Sequence, residues 1–148
     1  MKISTKGRYA LAAMISMAQR ESISGVETLA ALSGRLGLSK LYLEQVFSLL
    51  RRAELVLSVK GAQGGYRLAR GARDMTCWDI LSAVENSLFD QADATVADRS
   101  PGIERAMRDG VFTPLDLAVR TALEAVSLDD LAEEANLPET DDGYIYII

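Results

Sequence analysis

Ser39, Lys40, Tyr42, Glu44 and Gln45 are interleaved with Leu43, Val46, Phe47 and Leu50 in one short stretch of the chain. The four apolar residues recur at i, i+3, i+4 and i+7, which is one face of an α-helix. Lys40, Leu41, Tyr42, Glu44, Gln45 and Ser48 are then left on the outer face. That set can read DNA. A glutamine pairs bidentately with adenine and a glutamate accepts from the cytosine amino group. A helix N-terminus with a lysine attracts phosphate, and Ser39 suits the N-cap. A second group is Lys60 and Arg67, on either side of Gly61-Ala62-Gln63-Gly64-Gly65. Gly64 and Gly65 let backbone approach a phosphate or a minor groove, and glycines also serve plain hairpins. No Gly-Lys-Ser/Thr ending follows, so this is not a nucleotide-binding loop. Lys2, Lys6 and Arg8 form a third basic group, suited to positioning phosphates.

Little else in the chain could do chemistry. It holds one cysteine, Cys77, and no histidine. An intrachain disulfide, a sequence-local zinc motif, histidine acid–base catalysis and a Cys–His dyad are all excluded. A carboxylate-based hydrolase would need two acids in a cleft, whereas the acidic residues fall on predicted helix exteriors or in a loop. No catalytic residue and no metal ligand is nominated, and the chain is not read as an enzyme.

The formal net charge of −5 hides a polar division. Residues 1–73 hold 12 Lys+Arg and 4 Asp+Glu, a net of +8; residues 74–148 hold 4 and 17, a net of −13. One end is suited to a polyanion, and the other would be repelled by it.

The elements that position these groups are mostly helical. Ala10, Ala13, Met14, Met17 and Ala18 mark a first helix, with Thr5 the expected N-cap. A short helix over 27–33 follows, broken by the segment 34–38, where Gly37 permits a sharp turn. With the helix after Ser39 this is a helix-turn-helix. Leu55–Lys60 and Tyr66–Leu68 then read as a β-hairpin, a wing. Thr76 caps a helix carrying Trp78, Ile80, Leu81 and Val84. Residues 89–110 are polar, acidic and small, and read as a long or partly disordered loop. Thr113-Pro114 opens a further helix with proline at its first position. Its stripe of Leu115, Ala118, Val119, Ala122, Leu123 and Val126 is domain core or a dimer seam. Ser127 caps a last helix through Asn136, and Pro138 stops it. The expected fold is mainly α with a small β-wing: a winged helix-turn-helix plus a long C-terminal dimerisation helix. Residues 1–73 are the expected DNA-binding domain. Residues 74–136 supply a linker helix, a loop and dimerisation helices, and 137–148 an acidic, then apolar, tail. No stretch is long and apolar enough for a membrane span and no signal peptide is evident, so the expected location is cytoplasmic.

Three motifs occur in order: Met1-Lys2-Ile3-Ser4-Thr5-Lys6-Gly7-Arg8-Tyr9-Ala10, Ser39-Lys40-Leu41-Tyr42-Leu43-Glu44-Gln45, and Val59-Lys60-Gly61-Ala62-Gln63-Gly64-Gly65-Tyr66. Together they resemble the Rrf-type winged-helix regulators, a family with iron–sulfur, nitric-oxide-sensing and cysteine-metabolism members. The similarity runs over residues 1–88 and more weakly through 113–135. It implies a homodimer on double-stranded DNA in which the long helices cross. It implies that Ser39, Tyr42 and Gln45 contact DNA and that Lys60 reaches the minor groove, where some members carry arginine. Leu41 stands where one branch has a hydrogen-bonding serine. Cluster-binding members place three cysteines in the loop after the fourth helix; residues 87–112 here hold none. Cys77, at a helix start, is expected to be a small packed thiol. No iron–sulfur cluster and no other cofactor is therefore expected.

The cysteine-metabolism branch shares that absence and takes its signal through cysteine synthase. The tail Asp141-Asp142-Gly143-Tyr144-Ile145-Tyr146-Ile147-Ile148 resembles partners of cysteine synthase, which insert a C-terminal isoleucine. Gly143, Tyr144, Tyr146, Ile147 and Ile148 are the expected contact residues; the same composition also suits an edge strand. The leading expectation is a repressor acting on a palindromic operator, controlling cysteine or sulfur metabolism. The alternative is a protein-interaction module that engages such a partner through the tail, with DNA binding secondary or absent.

Overall fold

The computed structural model describes residues 1–21, 25–62 and 64–138. Its first helix, α1, spans Thr5–Arg20 and buries Ala10, Ala13, Met14 and Met17. The N-cap is Ser4 rather than the expected Thr5: Ser4 Oγ accepts from the Gly7 amide at 3.1 Å. The Ser4 amide and hydroxyl in turn donate to Glu85 Oε1 at 3.0 and 2.8 Å. Thr5 is occupied elsewhere, accepting from the Arg8 guanidinium at 3.1 Å. The Glu85 carboxylate also faces the positive end of the α1 dipole.

Helix α2 spans Leu29–Leu36 and so runs past the expected break at Gly34. It ends where Gly37 adopts φ +67, a left-handed turn that a glycine takes at little cost. Helix α3, Lys40–Arg52, buries the four predicted residues Leu43, Val46, Phe47 and Leu50. Ser39 caps it, accepting from the Tyr42 amide at 3.2 Å.

The wing is an antiparallel pair, β1 (Val56–Val59) and β2 (Gly65–Leu68), with Val56 opposite Leu68 and Val59 opposite Gly65. A third segment joins it. Glu27 exchanges two backbone hydrogen bonds with Tyr66, at 2.8 and 2.7 Å. The Glu27 carboxylate, buried, accepts from Arg20 Nε and Arg35 Nη2, both at 3.0 Å. Arg35 Nε also donates to Ser16 at 2.9 Å. One acid neutralised by two guanidiniums thus ties α1 and α2 to the wing. A buried carboxylate without such partners would be strongly unfavourable.

Helix α4, Cys77–Val84, carries a full capping box of Thr76 and Asp79. Of the loop expected over 89–110, residues 89–100 are a loop and residues 101–110 are helical. Helix α5 spans Pro101–Met107, passes through a π-helical turn at Arg108–Phe112, and continues as α6, Thr113–Glu124. The helical run is on the order of 36 Å long at 1.5 Å per residue. Pro101, not Pro114, marks its start. Pro114 has no N–H to donate and its ring would crowd the carbonyl of Gly110; the wider π turn just before it accommodates both defects. The preceding loop is held in place. Glu104 accepts from the Thr95 and Val96 amides at 3.1 and 2.8 Å, and Phe89 packs on Trp78 with ring centroids 4.7 Å apart.

Helix α7, Leu128–Ala135, has the expected cap at Ser127, again a capping box, here with Asp130. It returns to α1, where Gln19 Nε2 donates to Asn136 at 2.8 Å. Leu128 from α7, and Ile80 and Val84 from α4, lie in the same buried cluster as Met14, Leu43 and Phe47.

Candidate nucleic-acid interface

The N-terminal half of α3 faces solvent. Lys40, Leu41, Glu44 and Gln45 are exposed, with Lys40 Nζ 3.9 Å from Glu44 Oε1. Tyr42 is half-buried, its ring edge-on to Tyr9 at 5.0 Å, so its orientation is fixed by α1. The start of α1 lies beside this surface. Lys6 lines one crevice with Leu41, Glu44, Gln45 and Ser48, and a second with Lys2, Thr5 and Tyr42. Two of the three basic groups found in the sequence therefore meet around α3. Arg8, exposed, is turned back onto Thr5.

On the wing, Lys60 and Arg67 are exposed and line a crevice of about 760 Å³ together with Arg51 and Glu54. Arg51 is absent from the sequence-based set, although the Arg51-Arg52 pair at the end of α3 is a visible signal. It arrives here because Glu54 adopts φ +61, a left-handed turn that folds β1 back from the end of α3. Such a conformation costs a non-glycine residue about 1–2 kcal/mol. Here the turn is closed by Glu54 N donating to Arg51 O at 2.9 Å and Leu55 N to Leu50 O at 3.0 Å.

Gly64 and Gly65 have an architectural reason to be glycine. A Cβ on Gly65 would collide with the Glu27 carbonyl, and one on Gly64 with the Val59 carbonyl. Both neighbours are backbone and cannot swing aside.

The expected dimerisation stripe is divided. Leu115, Ala118 and Ala122 are exposed, while Val119, Leu123 and Val126 are half-buried toward their own chain. Trp78 of α4 lies under the Arg120 guanidinium, 4.9 Å from its ring centroid. Ile103, Val111 and Leu117 add further exposed apolar surface to the same long helix. The tail residues Gly143, Tyr144, Tyr146, Ile147 and Ile148 lie outside the described residues.

Cys77 is buried at the first position of α4, its amide donating to Val126 O at 2.9 Å. Burial, and then the nearby Asp130 carboxylate, push its thiol above the ordinary 9.0. The thiol is therefore protonated at neutral pH, and the thiolate is the reactive form. A disulfide reagent such as Ellman's should leave the folded protein unlabelled at pH 8 and modify one thiol per chain in denaturant; rapid labelling of the native protein would contradict this. The unfolded chain ionises Cys77 first, so this group lowers folding stability as the pH rises through 9.0 and above.

The family model Rrf2, described as an iron-dependent transcriptional regulator, matches residues 3–135. The chain belongs to the Rrf2 family. The regulator IscR of Photobacterium profundum is 37% identical over 139 residues, covering 94% of this chain and 80% of that one. IscR of Vibrio atlanticus is 38% identical over 146 residues, covering 96% of this chain and 81% of that one. Among solved structures, CymR, the global cysteine regulator of B. subtilis, superposes with a TM-score of 0.73 at 36% identity, covering 90% of this chain and 98% of that one. T. potens IscR gives 0.70 at 37%, covering 97% of each. The chain is thus an Rrf2-type transcription regulator with a DNA-binding winged helix, and its relatives are regulators rather than enzymes. Among the described residues no helix is long and apolar enough to cross a membrane.

The family description implies iron, and the residues here do not fit a thiolate-held cluster. Fe–S clusters are held chiefly by several cysteine thiolates. This Rrf2 chain has one cysteine, buried and kept protonated, and no histidine. Among the described residues no three of His, Cys, Asp and Glu converge as ligands. Glu104, at the start of the long helix, is already committed to backbone amides.

Proposed function

We propose that this Rrf2 regulator acts as a homodimeric repressor on a two-fold symmetric operator, without an iron–sulfur cluster. The observation that carries the reading is the exposed outer face of α3, set beside Lys6. Ser39, Lys40, Tyr42, Glu44 and Gln45 meet the major groove, Lys6 and Arg8 hold phosphates, and Lys60, Arg67 and Arg51 serve the wing. One short helix reads few base pairs, so a dimer with two such helices about 34 Å apart suits a palindrome. Support for the dimer comes from the long helix α5–α6, which buries no residue within its own chain and exposes Ile103, Val111, Leu115 and Leu117. The likeness to CymR, a global cysteine regulator, supports genes of cysteine or sulfur metabolism as targets.

Two substitutions separate base reading from phosphate holding. Gln45→Ala should cost about 1–3 kcal/mol on the preferred operator and relax the preference at one position of each half-site. Lys6→Ala should weaken binding to all sequences alike. It should also reduce the slope of log affinity against log salt by about one for each phosphate no longer neutralised. Equal effects of Gln45→Ala on specific and random DNA would remove Gln45 from base reading. Recovery of sulfur-assimilation promoters in a genome-wide pull-down would support the proposed targets; a set without them would contradict that part.

A further inference from the structure

We infer that Leu41 is a specificity-determining residue that reads the methyl group of a thymine in each half-site. This rests on α3 being the groove-reading helix, as proposed above. Leu41 is 70% exposed, the one large apolar side chain of α3 left so open to solvent. It is not part of the core, which takes Leu43, Val46, Phe47 and Leu50 from this helix. Leu41 is the second residue of α3, one turn before Gln45, and borders the same crevice as Lys6, Glu44 and Gln45. The polar members of that surface have partners available on any base edge or phosphate. An isobutyl group does not. Among the groups a base pair presents in the major groove, the thymine C5-methyl is the apolar one. An apolar residue at the leading end of a groove-entering helix therefore favours thymine and leaves the amino groups of adenine and cytosine unsatisfied. Leu41 lies about 6 Å along the helix axis from Gln45. The thymine should accordingly fall within about two base steps of the base read by Gln45.

The inference can be tested by removing the methyl alone. The preferred operator is selected from random DNA with the full-length chain, and each thymine is replaced in turn by deoxyuridine. For the unaltered protein, one thymine position per half-site should lose about three- to fivefold in affinity, the value of one buried methyl-sized group. For Leu41→Ala the same replacement should have no effect. Because Leu41 is exposed and outside the core, the variant should keep its melting temperature. An equal loss in both proteins on replacing that thymine, or no sensitive position in either, overturns the inference while leaving the DNA-reading proposal intact. Failure to select any preferred sequence overturns both.

Discussion

Arginine in place of Ala118 is expected to leave the chain monomeric and to lower operator affinity by about 100- to 1,000-fold at low protein concentration. Ala118 is exposed and lies one turn from both Leu115 and Ala122 on the long helix. Small residues at such spacing let two helices approach closely, and an arginine there would place a bulky charge in the seam. The fold of the single chain should tolerate it, because α6 buries no residue of its own. The weaker binding has a different origin from that of a variant altered in the groove-reading helix. Two half-sites held by one dimer make the second binding event intramolecular, and monomers forfeit that gain although each keeps its full DNA-facing surface. Sedimentation equilibrium should show a single-chain mass, and half-site binding should be unchanged. A variant that remains a dimer would place the seam elsewhere.

Valine in place of Gly65 is expected to destabilise the protein by about 3 kcal/mol, or roughly 6–12 °C in melting temperature for a chain of this size. Intrinsic preference argues the other way, since β-branched residues favour strands. The steric term decides. A Cβ at this position meets the Glu27 carbonyl, with the Thr28 amide nitrogen 3.0 Å away. To relieve that, the strand must leave Glu27, giving up the two backbone hydrogen bonds between Glu27 and Tyr66. The wing would then be untied from α1 and α2, and the buried Glu27 carboxylate would be displaced from Arg20 and Arg35. Gly34→Ala is the control. Gly34 lies inside α2 with nothing within 4 Å of its would-be Cβ, so alanine should stabilise by about 0.5–1 kcal/mol. Thermal denaturation followed by circular dichroism measures both; a neutral Gly65→Val would mean the wing is not pinned at this point.

The parts of this fold that depend on local order are legible in the chain. The α3 face of Leu43, Val46, Phe47 and Leu50 and the caps at Ser39, Thr76 and Ser127 each follow from residues three or four apart. The cap of α1 is not, because Ser4 and Thr5 are equally suited by type, and Glu85, 81 positions away, settles the choice. The pairing of Glu27 with Tyr66 is likewise non-local, so the third segment of the wing leaves no trace in periodicity. The long helix is hidden for another reason. Its first half buries no side chain, so no amphipathic pattern is imposed on it, and Gly110 and Pro114 look like breakers although a π turn carries the helix through them. At the site, the outer face of α3 can be read from sequence, whereas Arg51 joins Lys60 and Arg67 only through the reversal at Glu54.

Helix α3 as one half of a two-fold DNA reader is tested most directly by selecting bound sequences from a random duplex library. An inverted repeat is predicted, with half-site centres about one helical turn, roughly 34 Å, apart. A single unrepeated motif, or no enriched motif at all, would contradict it.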